Sequence, residues 1–95
     1  MNRIAYIKSE IERLYKTNPT VHVTVKLSRP KLLIENTPVT IVGVYRNFFR
    51  IEERHSGHPL SHTLQYGDLL IGHVTVREIN LDLLPEEADR NRRES

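Results

Sequence analysis

Ninety-five residues with 14 Lys/Arg, 12 Asp/Glu and a formal net charge of +2 have the length of one domain with a small core. No cysteine is present, which removes disulfides, thiolate zinc sites and thiol catalysis and points to a reducing, cytoplasmic setting. No apolar run approaches the roughly 20 residues needed to cross a bilayer, and Arg3, Lys8 and Glu10 interrupt any signal core, so a chain without membrane association is expected.

Charge is uneven along the chain. Residues 1–35 carry seven Lys/Arg against three Glu, residues 36–79 four against four, and residues 80–95 three Arg against five acids. Ile4, Ile7, Ile11 and Leu14, with Tyr15 beside them, recur at three- and four-residue spacing opposite Lys8, Glu10, Glu12, Arg13 and Lys16. This spacing predicts an amphipathic helix over residues 3–16, with Asn2 as N-cap and Asn18-Pro19 as stop.

Val21, Val23, Val25 and Leu27 alternate with His22, Thr24 and Lys26 and predict a first strand. Pro30 ends it, and Leu32-Leu33-Ile34 reads as an apolar patch within a long connection. Residues 38–45 predict a second strand with Val39, Ile41 and Tyr45 on one side and Val42 and Val44 on the other. The helix is expected to cover that second side, and Gly43 to mark a bend or bulge. Arg46-Asn47 is a two-residue turn, and Phe48–Glu53 a third strand. Residues 54–59 read as a polar loop. A fourth strand follows over Leu60–Tyr66, with Leu60, His62, Leu64 and Tyr66 in phase.

Gly67-Asp68 breaks that alternation ahead of Leu69, Leu70 and Ile71. Three consecutive apolar residues cannot all face inward from a strand, whereas one helical turn buries most of them. Gly72 then frees the backbone for a fifth strand over His73–Ile79. A helical turn between the last two strands is the habit of small five-stranded SH3-like and Sm-like barrels. The expected fold is therefore mainly β with an N-terminal helix, a helix-capped barrel over residues 1–84. Leu81, Leu83 and Leu84 are candidates to dock on it, and residues 85–95 form a polar tail, disordered or frayed.

The chemistry of the side chains favours binding over catalysis. The glycines at 43, 57, 67 and 72 are isolated, so no phosphate loop is present. Ser28, Ser56 and Ser61 lack an elbow-like setting, and Glu52-Glu53 point to opposite faces of a strand, so neither supplies a reactive couple and no cofactor is implied. His55, His58 and His62 form an H-x-x-H-x-x-x-H cluster, the residue type most used for metals but with no acid inside it. In a bland reading His62 is a hydrogen-bonded, half-buried side chain, and His22 and His73 face outward.

Lys26, Arg29 and Lys31 gather at the end of the first strand, and Arg46, Arg50 and Arg54 lie along the second hairpin near Tyr45 and Phe48. Lys26, Arg29, Lys31, Tyr45, Arg46, Phe48 and Arg50 together define one candidate surface for an anionic protein or a nucleic acid. The alternative for the same side chains is a solvated face. A homodimer through an edge strand, with Val21–Leu27 as the example, is also expected.

Ile7-Lys8 with Ile11, Leu27 before Arg29 and Lys31, Ile34-Glu35, Gly43, Tyr45, Phe49 and the run Thr63-Leu64-Gln65-Tyr66-Gly67-Asp68-Leu69-Leu70 ahead of Val74 give the chain its family likeness. It resembles the Veg family of small proteins from Gram-positive bacteria over roughly residues 4–79. The likeness departs from the family at Ser28-Arg29-Pro30-Lys31, where the family has a Gly-Gly-Arg-Arg-type run. The resemblance implies a helix-capped barrel without enzymatic activity. It also implies regulation of the kind that stimulates biofilm formation, by contact with a transcriptional repressor.

Overall fold

The computed structural model describes residues 2–29, 31–55 and 57–80, apart from the side chain of His55. The expectations for Leu81, Leu83, Leu84 and the tail at 85–95 fall outside these residues. The elements run α1 (Arg3–Thr17), β1 (Thr20–Ser28), β2 (Lys31–Val44), β3 (Phe48–His55), β4 (His58–Gln65), α2 (Tyr66–Leu70) and β5 (Val74–Val76). All strand pairs are antiparallel, in one five-stranded sheet of order β4-β3-β2-β1-β5. The protein is thus mainly β with an N-terminal helix. The sheet is not closed: β4 and β5 are its two edges.

Asn2 caps α1 as its spacing requires, its side-chain oxygen accepting from Ala5 N at 2.7 Å. Ile7, Ile11 and Leu14 are buried, whereas Ile4 and Tyr15, at the rims of the same stripe, are 38% and 41% exposed. The three buried residues join Val21, Val23, Val25, Ile34, Val39, Ile41, Phe49, Ile51, Leu64, Tyr66, Leu69, Val74 and Val76 in one core.

β2 departs most from the sequence reading. It begins at Lys31 rather than Pro38, so Leu32-Leu33-Ile34 is strand and no long connection separates β1 from β2. Leu32 lies opposite Leu27 and Ile34 opposite Val25, so two apolar cross-strand pairs hold the extension. Two bulges then divide the strand. Between Val23 and Val25 the ladder gains one residue on β2, near Asn36, whose φ of 39° is left-handed. Between Ile41 and Gly43 it gains another, Val42.

The bulge at Val42 turns Val44 inward, opposite Phe49, against the core. Val42 itself is 39% exposed. The helix therefore packs into the same core as Val39 and Ile41 and does not cover a second apolar face, contrary to the pattern read straight through residues 39–45.

The residues expected to form a polar loop over 54–59 are mostly strand, because β3 and β4 pair without a register shift from Phe48↔Gln65 to His55↔His58. Tyr66 opens α2 instead of closing β4, yet is buried as its alternation with Leu64 requires. Leu69 is buried, Leu70 packs against the core, and Ile71 is 63% exposed. The helical turn between β4 and β5 thus exists but buries one of the three apolar residues fully.

Gly72, at φ +87°, ends α2: its N–H reaches Leu69 O at 3.3 Å and the His73 N–H reaches Asp68 O at 2.9 Å. This is the Schellman arrangement that a left-handed glycine permits. β5 keeps only Val74–Val76 of the span expected to reach Ile79. Beyond it the Arg77 N–H bonds to His22 O at 2.9 Å and Ile79 is buried. β1, paired with both β2 and β5, is interior; a dimer through its edge is not available.

Candidate binding surfaces

The turn between β2 and β3 is held by a backbone hydrogen bond across it and by the Tyr66 hydroxyl. The Tyr45 N–H donates to Phe48 O at 2.9 Å, closing the two-residue Arg46-Asn47 turn. From beneath, the Tyr66 hydroxyl lies 2.5 Å from Tyr45 O and 3.0 Å from Phe48 O. The Tyr66 ring stacks with Phe49, centroids 5.6 Å apart at 19°. Burial pushes the Tyr66 phenol above its ordinary range; the bond to the Tyr45 carbonyl offsets part of this, and the charge of Glu12 adds to it.

Above this anchored turn, Tyr45 and Phe48 stack with centroids 4.9 Å apart at 29°. Tyr45 is 47% exposed. Its ring folds back over Gly43 so closely that a Cβ there would lie 2.7 Å from the hydroxyl oxygen. Gly43 is directly opposite Arg50, which places that guanidinium group's strand position beside the ring. On the other flank a groove runs between α1 and the turn, lined by Lys8, Glu12, Tyr15, Lys16, Tyr45 and Arg46 among others.

The other predicted basic residues are elsewhere. Lys26, Arg29 and Lys31 lie around the β1–β2 turn, where Ser28 pairs with Lys31 and Lys26 with Leu33. β2 holds 14 residues, so its ends are separated by roughly 40 Å at about 3.3 Å per residue. The surface expected as one is two: Tyr45, Arg46, Phe48 and Arg50 at one end of β2, and Lys26, Arg29 and Lys31 at the other. Lys8 and Lys16, on the polar face of α1, take the place the second group was expected to fill.

Two histidines, His62 and His22, are drawn to carboxylates. His62 Nε2 is 3.0 Å from Glu53 Oε2, with the two side chains 18% and 12% exposed. Glu53 follows Phe49 and Ile51 at strand spacing, a signal that marks it as inward-facing; sequence reasoning treated it only as the neighbour of Glu52. His58 is exposed and pairs through its backbone with His55. Among the described residues no group of three or more His, Asp or Glu is placed to hold a metal ion.

His22, an outward residue of β1, sits against Glu78, 2.8 Å from Nδ1 to Oε2, and its backbone N–H donates to Glu78 Oε1 at 2.9 Å. Burial works to raise the Glu78 carboxyl, but the hydrogen bonds from the His22 ring and backbone outweigh it and hold the group below its ordinary range. These residues are 56 apart in sequence, and no local pattern announces the pair.

No helix among the described residues is long and apolar enough to cross a membrane. Comparison with protein-family models, with curated proteins and with solved structures finds no match to this chain.

Proposed function

We propose that this chain is a non-enzymatic regulatory module that acts by contact with a protein partner through the β2–β3 turn. The observation that carries the reading is the exposed Tyr45 stacked on the half-buried Phe48, on a turn locked by Tyr66, with Arg46 and Arg50 on the same hairpin. Tyr and Arg are the side chains that most often dominate the energy of protein interfaces, and a pre-ordered turn loses little entropy on binding. The resemblance to the Veg family supports a transcriptional regulator as the partner and biofilm-type regulation as the outcome. The same reading takes the open sheet as a variant of the SH3-like or Sm-like barrel, which the helical turn between β4 and β5 supports. It places the protein in the cytoplasm, in keeping with a chain that has no cysteine.

Affinity capture from nuclease-treated native lysate tests the assignment. Tyr45→Ala and the pair Arg46→Glu with Arg50→Glu are expected to lose the captured partner at least tenfold. Arg29→Glu with Lys31→Glu, at the other end of β2, should keep it. Equal capture by all variants would place the contact elsewhere.

A second reading, single-stranded nucleic acid at the same turn, is favoured by the stacked pair alone, since a base stacks on such a platform. It requires oligonucleotide binding whose affinity falls steeply with salt.

A further inference from the structure

We propose that the outer edge of β4 is a self-recognition surface, on which a second copy of this chain pairs antiparallel about a two-fold axis beside His62. The two edges of the sheet are managed differently. β5 is three residues long, too short to template another strand. β4 is eight residues long and pairs with β3 without a bulge, so its outer row of backbone groups is regular. Among the described residues no strand pairs with that row.

Exposed edges are ordinarily blunted by Lys or other charges, by bulges or by proline. β4, His-Pro-Leu-Ser-His-Thr-Leu-Gln, carries no Lys, Arg, Asp or Glu, and Pro59 near its start is its one blunting residue. By contrast β3, one strand inward, carries Arg50, Glu52, Glu53 and Arg54. Charge has been kept off the strand whose outer side, among the described residues, carries no paired strand.

The pattern on β4 is also self-complementary. Leu60 lies opposite Glu53, on the side of the sheet that carries the core, yet it is 51% exposed. Leu64, on the same side, is fully buried. A two-fold axis perpendicular to the sheet keeps core-side residues opposite core-side residues. The register centred on His62 then brings the exposed Leu60 of each copy alongside the strand position of the other's Leu64, whose own side chain is already covered, and sets His62 beside its own copy. On the outer side it sets Ser61 against Thr63, a pair able to hydrogen-bond. This register covers Leu60 of each copy and brings no like formal charges of Lys, Arg, Asp or Glu together. A strand from an unrelated protein has no reason to match both rows at once, so the second copy is the occupant the pattern selects. The contact lies on β4 and leaves the β2–β3 turn exposed.

Because the chain has no cysteine, introduced thiols report on the junction alone. The full-length protein is expected to sediment as a dimer. On mild oxidation an equal mixture of Ser61→Cys and Thr63→Cys chains should give mixed disulfides several-fold faster than Thr75→Cys, on the outer face of β5, gives its own. Ser61→Lys with Thr63→Lys, both at exposed positions, should raise the dimer dissociation constant at least tenfold with an unchanged circular dichroism spectrum. Mixing that variant with one carrying Ser61→Glu and Thr63→Glu should restore a mixed dimer. A monomer at every concentration overturns the proposal. So does a dimer that survives the lysine variant, or cross-linking as fast at Thr75 as at the β4 pair.

Discussion

Tyr66 joins the core to the surface through one side chain. Its ring is 2% exposed and its hydroxyl meets two carbonyls of the β2–β3 turn. Removing the hydroxyl with Tyr66→Phe leaves those carbonyls without that donor at a cost of about 1–2 kcal/mol, while the apolar burial stays. The phenol is raised above its ordinary value, with burial as the leading cause. A raised folded value means the fold prefers the neutral phenol. The stabilisation is complete below the unfolded value near pH 10 and is lost as pH climbs through the higher folded value. Urea denaturation at neutral pH and above pH 10 is expected to show the parent losing stability on the alkaline side faster than Tyr66→Phe; equal slopes would remove Tyr66 as the cause. The inward position of Tyr66 was legible from its phase with Leu64. Its acceptors, 21 and 18 residues earlier, were not, because alternation reports which face a residue takes and carries nothing about polar partners. Glu53 and His62 met for the same reason, across a hairpin whose register the pattern had not set.

At the level of elements, β2 shows why a straightforward alternation failed. Its inward residues are Leu32 and Ile34, then Val39 and Ile41, then Val44: even, odd, even. Each change of parity is a bulge, and a fixed period of two cannot span it. Gly43 gave a correct warning of irregularity; the stretch ahead of Pro38 instead read as a long connection carrying Leu32-Leu33-Ile34, which hid the first half of the strand. The first bulge rests on Asn36, at φ 39°, whose N–H bonds to Thr24 Oγ1 at 3.0 Å, while the Thr37 hydroxyl donates to Glu35 O at 3.0 Å. Asn tolerates this left-handed region and a β-branched residue does not. Asn36→Val is therefore expected to cost about 1–3 kcal/mol, and Asn36→Gly to fall within about 0.5 kcal/mol of the parent. Thermal denaturation of the three proteins measures both. Equal losses for Val and Gly would mean that the side chain, and not the backbone angle, holds the bulge.

On the scale of the whole molecule, the helix and the sheet share their apolar residues. Ile7, Ile11 and Leu14 lie in the same cluster as the inner faces of all five strands and Leu69 of α2. The amphipathic stripe made the helix legible at once. That it completes the single core rather than shielding a second face followed only from the bulge at Val42. A shared core in a small domain implies that neither part is stable without the other. Ile11, fully buried, provides the test: Ile11→Ala should cost about 2–5 kcal/mol, a large share of the roughly 5–15 kcal/mol typical of a folded domain. The helix signal in far-UV circular dichroism and the tyrosine fluorescence are expected to shift together to the same lower midpoint, since the chain has no Trp to obscure the tyrosines. A helix that melts first, while the fluorescence transition stays in place, would make α1 an appendage of a self-sufficient sheet. The groove it forms with Tyr45 and Arg46 would then cease to be a fixed feature of the binding surface.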